Sequence, residues 1–329
     1  MGKLLYSVDD ANNLINRGMR YIFAGSHKLL ESLEKGNWIG GSTYYCVSGG
    51  KGISGEEFLF AQEIPDFCEE VKIKYYNINA LKNVYQDMYD NGFSVILIPY
   101  ESNTHFKYPI EVVNYPLFAT KPLIGWITGV SLNNENKLIP SIYDGQSKRF
   151  YDDGAMVMHV KLPENKLADL KVANIFESTH GNPLEFREEG FNIRNVIVNE
   201  REYNFVDYIK ENKIDIRFPL VGTLAGTIPT IVSFKEIDEK EKIVRLYAPL
   251  YKKIQYRLAT PVEHYYDMLI KNITEEDHFV LPVICILHFL YGALENKMSY
   301  KIPDAPTTFG EIAHILVNQT LTYLSIYDI

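Results

Sequence analysis

The chain is poor in most of the features that give a function away. Its three cysteines, Cys46, Cys68 and Cys285, are too few for a disulfide framework, and their number is odd. It has no long basic run, and its formal net charge is −9. Nucleic acid and anionic membrane are therefore poor partners. No apolar stretch reaches the ~20 residues that a membrane-spanning helix needs. The longest uncharged run, HFVLPVICILHFLYGAL at 278–294, is interrupted by Pro282, His288 and Gly292. It reads as a buried strand leading into a helix. The N-terminus, MGKLLYSVDDANN, turns polar after five residues, without the apolar segment or cleavage site of a signal peptide. The cytoplasm is the expected location, where the sequons at Asn272 and Asn318 carry little meaning.

What is present is ordinary folded-protein composition with many aromatics, 24 Tyr and 17 Phe in 329 residues. Tyrosine suits half-buried pleated surfaces, so strand content should be high. The length predicts two domains, 1–176 and 177–329, with the turn-rich loop ESTHGNPLEF (177–186) between them. Ser7 or Asp9 caps a first helix, and HKLLESLEKG carries a second that stops at Gly36. Strands are expected at 39–47, 56–64, 71–78, 93–99, 123–130, 155–162 and 170–176. The almost continuous apolar run FSVILIP (93–99) suits a strand buried on both faces. Helical spacing of Leu81, Val84, Tyr85 and Met88 predicts a helix over 79–92. In the second half, strands are expected at 191–198, 230–234, 242–250 and 254–260, and helices at 204–212, 263–273 and 309–324. Thr308-Phe-Gly-Glu311 reads as a capping box for the last helix. The fold class is α+β: mixed, with predominantly antiparallel sheets packed with helices in two similar sheet–helix halves.

Residues 36–55, GNWIGGSTYYCVSGGKGISG, hold seven glycines and end in G-x-G-x-x-G. A dinucleotide fingerprint needs a helix directly after the glycines. EEFLFAQEIP follows instead, with Pro65 closing the segment, and Gly52 stands where a P-loop needs Ser or Thr. SGGKGISG therefore reads as a hairpin connection, and no nucleotide or other cofactor is expected. Cys285-Ile-Leu-His288 is a lone C-x-x-H without the second pair that a structural zinc site wants, so no metal is expected. Cys46 is a candidate nucleophile if the fold brings His105 or His180 to it. Asp152-Asp153 and Glu188-Glu189 read as solvated turns beside glycine, and Glu236–Lys242 as a hairpin tip.

The stretches 182–209, 219–234, 244–262, CILHFLYGALE (285–295) and TFGEIAHILVNQTLTYL (308–324) resemble the C-terminal part of FIST-type sensory proteins. Upstream, GNWIGGSTYY (36–45), LIGWITGV (123–130) and GAMVMHVKL (154–162) resemble that family's early strands. The resemblance implies a sensor that binds a small ligand, an amino acid or related metabolite, beside a signalling module. The chain ends at Ile329 after this region, so the expected output is through a signalling protein partner.

Two functions are thus expected to compete. One is a small-ligand-binding sensory protein without catalysis. Its site would be built from Asn37, Trp38, Gly40, Gly41, Ser42 and Thr43, with Arg257 as a carboxylate partner. The other is a hydrolase of small acyl or amide substrates using Cys46, Ser42 or Thr43.

Overall fold

The computed structural model describes residues 4–133, 137–252, 254–273 and 279–329. Residues 1–3, Asn134 of the expected Asn133-Asn134 turn, Thr274 of the first sequon and His278 at the head of the long uncharged run lie outside them. Strand outweighs helix, 43% against 16%, so the mixed class holds with the balance tipped to β.

Three six-stranded sheets carry the structure. The first runs Leu5–Tyr6, Leu59–Glu63, Tyr21–Gly25, Trp38–Ser42, Ile142–Asp144, Arg149–Tyr151. The central sheet runs Ile315–Val317, Glu311–Ala313, Leu123–Thr128, Gly92–Pro99, Ala155–Lys161, Glu70–Tyr76. The third runs Lys166–Asn174, Thr320–Asp328, Val280–Cys285, Ala305–Thr308, Tyr45–Ser48, Lys51–Ser54. Each mixes antiparallel pairs with one parallel pair. Strands from both sides of residue 176 share the central and third sheets, so the chain is interleaved across the expected boundary.

The central sheet is covered on both faces. Phe93, Val95 and Leu97 point into a core shared with the other two large sheets. Ile96 and Ile98 point into a second core filled by Val196, Val232, Val244 and their neighbours. This is the two-sided burial that FSVILIP predicts. A polar chain crosses the buried layer. Tyr76 donates its hydroxyl proton to Asp87 (2.7 Å), so His159 Nε2–H donates to Tyr76 (2.8 Å) and His159 Nδ1 accepts from Ser94 (2.7 Å). Burial holds this histidine neutral, its pKa lowered to about 3.

Two expected helices are absent. Over 79–92 the structure has successive turns and one short 3-10 segment, Leu81–Asn83, although Leu81, Val84, Tyr85 and Met88 are all buried. Over 309–324 it has the strands Glu311–Ala313 and Ile315–Val317 and the start of Thr320–Asp328. Gly310, His314 and Gln319, all at positive φ, break this stretch and would interrupt any helix. The expected capping box is instead a buried clasp. Thr308 donates its hydroxyl to Glu311 Oε1 (3.2 Å) and Thr320 donates its own to Oε2 (2.7 Å). Cys285 completes the ring. Burial pushes the Glu311 carboxyl up to about 8. Of the two carboxylate pairs read as solvated turns, Asp152 and Glu189 are exposed, while Asp153 and Glu188 are half-buried and engaged. Asp153 accepts from Thr104 N (2.9 Å), Thr104 Oγ1 (2.7 Å), Asn103 Nδ2 (3.2 Å) and Gly154 N (2.8 Å), and so pins the helix Asn103–Glu111. Glu188 likewise accepts from Arg194 N and Asn195 N (3.3 Å). The tip at 236–242 does join two strands, Phe234–Asp238 and Ile243–Leu250.

The glycine-rich segment is a hairpin, Tyr45–Ser48 paired with Lys51–Ser54 around Gly49 and Gly50 at φ +61° and +74°. It packs closely. A Cβ on Gly50 would lie 2.5 Å from Ser299 O, and one on Gly52 2.9 Å from Glu295 N. Alanine at Gly50 or Gly52 should therefore destabilise the fold by ~2–3 kcal/mol. At Gly49, which is open around its Cβ position, the cost should be about 1 kcal/mol from φ alone. Urea unfolding of the three variants checks the order; equal losses would contradict it.

Glu311 sets a second expectation. A carboxyl with a higher pKa folded than unfolded does not penalise the fold below its ordinary value of 4.5. Its penalty then grows as pH rises towards 8 and levels off above. The stability of Glu311→Gln relative to the parent should thus rise between pH 5 and pH 8. Unfolding at the two pH values measures it; a pH-independent difference would show that Glu311 is ionised throughout.

Candidate functional site

Parallel strands place their carboxyl ends on one side of a sheet, which is where α/β sheets bind ligands. Here Tyr21–Gly25 and Trp38–Ser42 form such a pair in the first sheet, and Gly92–Pro99 and Leu123–Thr128 form one in the central sheet. Residues following three of these strands line a cavity of about 320 Å3: Ser26 and His27, then Thr43 and Tyr44, then Gly129 to Ser131. A second cavity of about 520 Å3 adjoins it, bordered by Tyr100, Glu101 and Ser102 after the fourth strand. Both share Val130, Ser131, Leu138, Ile139 and Asp152, so together they form one groove.

The joint is held by backbone. Thr43 N donates to Gly25 O, Gly129 N to Ser42 O, and Ser42 N to Ser141 O, each at 2.9 Å. Ser42 Oγ accepts from Ser141 N (2.9 Å). Thr43 Oγ1 donates to Thr307 O (2.9 Å) and accepts from Tyr45 N (3.2 Å), which ties this corner to the third sheet. His27 stands at the rim between Tyr143 and Glu31. The Tyr143 hydroxyl donates to Nδ1, and Nε2 faces Glu31 (3.2 Å). Burial raises the Tyr143 pKa, so the phenol stays protonated. Phe150 meets His27 edge-on at 4.9 Å. The rim is apolar and open: Leu132, Leu138, Ile139 and Phe150 are exposed.

Of the seven expected site residues, Ser42 and Thr43 line the groove. The two glycines serve packing. A Cβ on Gly41 would meet Thr128 Cγ2 at 2.6 Å, and one on Gly40 would meet Leu30 at 3.1 Å and Trp38 at 3.2 Å. Trp38 is buried among the N-terminal helices, donating to Glu34 O (2.8 Å), and is no wall of the groove. Asn37 is exposed and accepts from Gln146 (3.2 Å). Arg257 donates to Gly181 O in a separate three-stranded sheet and does not line the groove. His27, Ile139, Phe150 and Asp152 escaped the sequence reading. A usable signal was present: Leu132, Leu138 and Ile139 are large apolar residues inside a polar, turn-forming stretch.

Of the nucleophile candidates, Ser42 and Thr43 line the groove and Cys46 lies apart from it. Cys46 is fully buried in the core between the three sheets, and burial pushes its thiol pKa up. His105 accepts from Glu101 N (3.1 Å) in a ring cluster with Tyr100 and Phe191, and His180 is exposed on its loop. Cys285 is also buried, and His288 Nδ1 pairs with the Tyr265 hydroxyl (2.8 Å). Among the described residues no group of three His, Cys, Asp or Glu is placed to hold a metal ion. Among the described residues no helix is long and apolar enough to cross a membrane.

A family model covers residues 6–327. The chain belongs to the family of unknown function DUF6976. No curated protein and no solved structure matches it.

All three cysteines are free and buried. An aromatic disulfide reagent should therefore react slowly with native protein and titrate three thiols per chain after unfolding without reductant. Fewer than three would reveal a disulfide.

Proposed function

We propose that the protein binds a small ligand in the groove at the strand ends, in a sensory or regulatory role without catalysis of its own. The observation that carries this reading is the convergence of four strand ends on one apolar-walled groove. Apolar walls with a few fixed polar groups are what small-ligand sites have in common. The lining favours a mostly apolar ligand over a polar one anchored by Arg257. The FIST-type relationship, and with it a signalling protein partner, belongs to the same proposal and rests on the sequence stretches alone. The hydrolase reading has less support: the Thr43 hydroxyl donates to backbone and Cys46 is sealed, which leaves Ser42, whose Oγ accepts from Ser141 N, as its nucleophile.

Nile red, a neutral apolar dye, tests the groove. Its fluorescence should rise with native protein, and Ile139→Asp combined with Phe150→Ala should abolish the rise. These side chains are 63% and 51% exposed, so the variant should keep its melting temperature within ~3 °C. No rise, or an equal rise in the variant, would count against the groove.

A further inference from the structure

We infer that the groove selects a ligand with an apolar body and a positively charged amine, with Asp152 as the counter-ion. The inference rests on the groove being a ligand site and names the class of that ligand. Among the described residues, Asp152 is the only ionisable one that lines both cavities, so it stands at their junction. The other charged side chains of the groove among them are Glu56, Lys137, Glu101 and Lys235. Lys235 is already met by Glu101 at 2.9 Å and lies over the Tyr100 ring at 5.4 Å. With that pair set aside, the described lining holds two acids, Glu56 and Asp152, against one cation, Lys137.

Flexibility decides between the two signs. Lys137 is exposed, and its four-carbon stem must be ordered before it can hold an anion. Asp152 has a short side chain on a turn whose next residue, Asp153, is held by bonds to Asn103, Thr104 and Gly154. Its carboxylate is therefore nearly in place before a ligand arrives, which lowers the ordering cost of binding. The walls agree with a cation. Tyr44 and Phe150 line the first cavity, and ring faces attract ammonium groups. Among the described residues no arginine lines either cavity to grip a carboxylate or phosphate. The chain's net charge of −9 also favours the approach of a cation.

Displacement of Nile red by hexylamine, 1-hexanol and hexanoate at pH 7 separates the possibilities, since the three share one apolar body. Hexylamine should displace the dye at roughly tenfold lower concentration than 1-hexanol, and hexanoate should be the weakest. Asp152→Asn should bring hexylamine level with 1-hexanol and leave the 1-hexanol value unchanged, while Asp152→Glu should keep most of the preference. Asp152 is exposed, so these variants should fold. An amine advantage that survives Asp152→Asn would trace to the general field of the chain and overturn the assignment. So would equal displacement by all three, or a lead for hexanoate. If the dye does not bind native protein at all, the groove fails as a ligand site and the inference falls with it.

Discussion

A carboxyl group sealed from water joins the sheets of this protein. Glu311 belongs to the central sheet, and its partners Cys285, Thr308 and Thr320 belong to the third. No cation is among those partners, so the acid is tolerable because donors surround it and burial keeps it protonated. Around this point the last part of the chain changes sheets. Ala305–Thr308 pairs in the third sheet, Glu311–Ala313 and Ile315–Val317 extend the central one, and Thr320–Asp328 returns to the third. A strand that switches sheets must turn sharply; the positive-φ residues Gly310 and Gln319 sit at the two crossings, and His314 turns the hairpin between them.

The groove follows from the same stacking. The first sheet can lie against the central one at its edge because Gly41 offers no Cβ to Thr128. That close approach, with the bond from Gly129 N to Ser42 O, sets the ends of the two parallel pairs side by side. The corner is then closed from the third sheet by Thr43 Oγ1 on Thr307 O. A strap over 137–141 brings Leu138 and Ile139 across it. Apolar side chains there stay exposed for lack of a core to enter, and exposed apolar groups around a cavity are a mark of binding surfaces.

The errors in the sequence reading have specific causes. IAHILVNQTLTYL gave a helical spacing because nearly all of it is buried on every side, and a pattern without a polar face cannot tell helix from strand. In 79–92 the burial pattern was right and the backbone was not. Asn77 accepts from Asn79 N and Ala80 N and opens a run of turns that shows the same apolar spacing. Glycines at the entry to a strand suggested access for a ligand at Gly40 and Gly41, yet the space of their missing side chains is taken by Leu30, Trp38 and Thr128. At Gly41 the deciding neighbour is Thr128 of the opposite sheet, far away in the chain.

Local chemistry was enough for the elements whose causes are local. Ser7 caps the first helix through Asp10 N, the Gly49-Gly50 pair turns a hairpin and not a phosphate loop, and alternation in VKIKYYNI makes an edge strand. FSVILIP announced its two-sided burial for the same reason, since the pattern of one strand reports the environment of its own two faces. The groove had no such signature. His27, Ser42, Gly129, Ile139 and Asp152 meet because strand ends of the first and central sheets come side by side, and that placement is set by the summed packing of distant side chains.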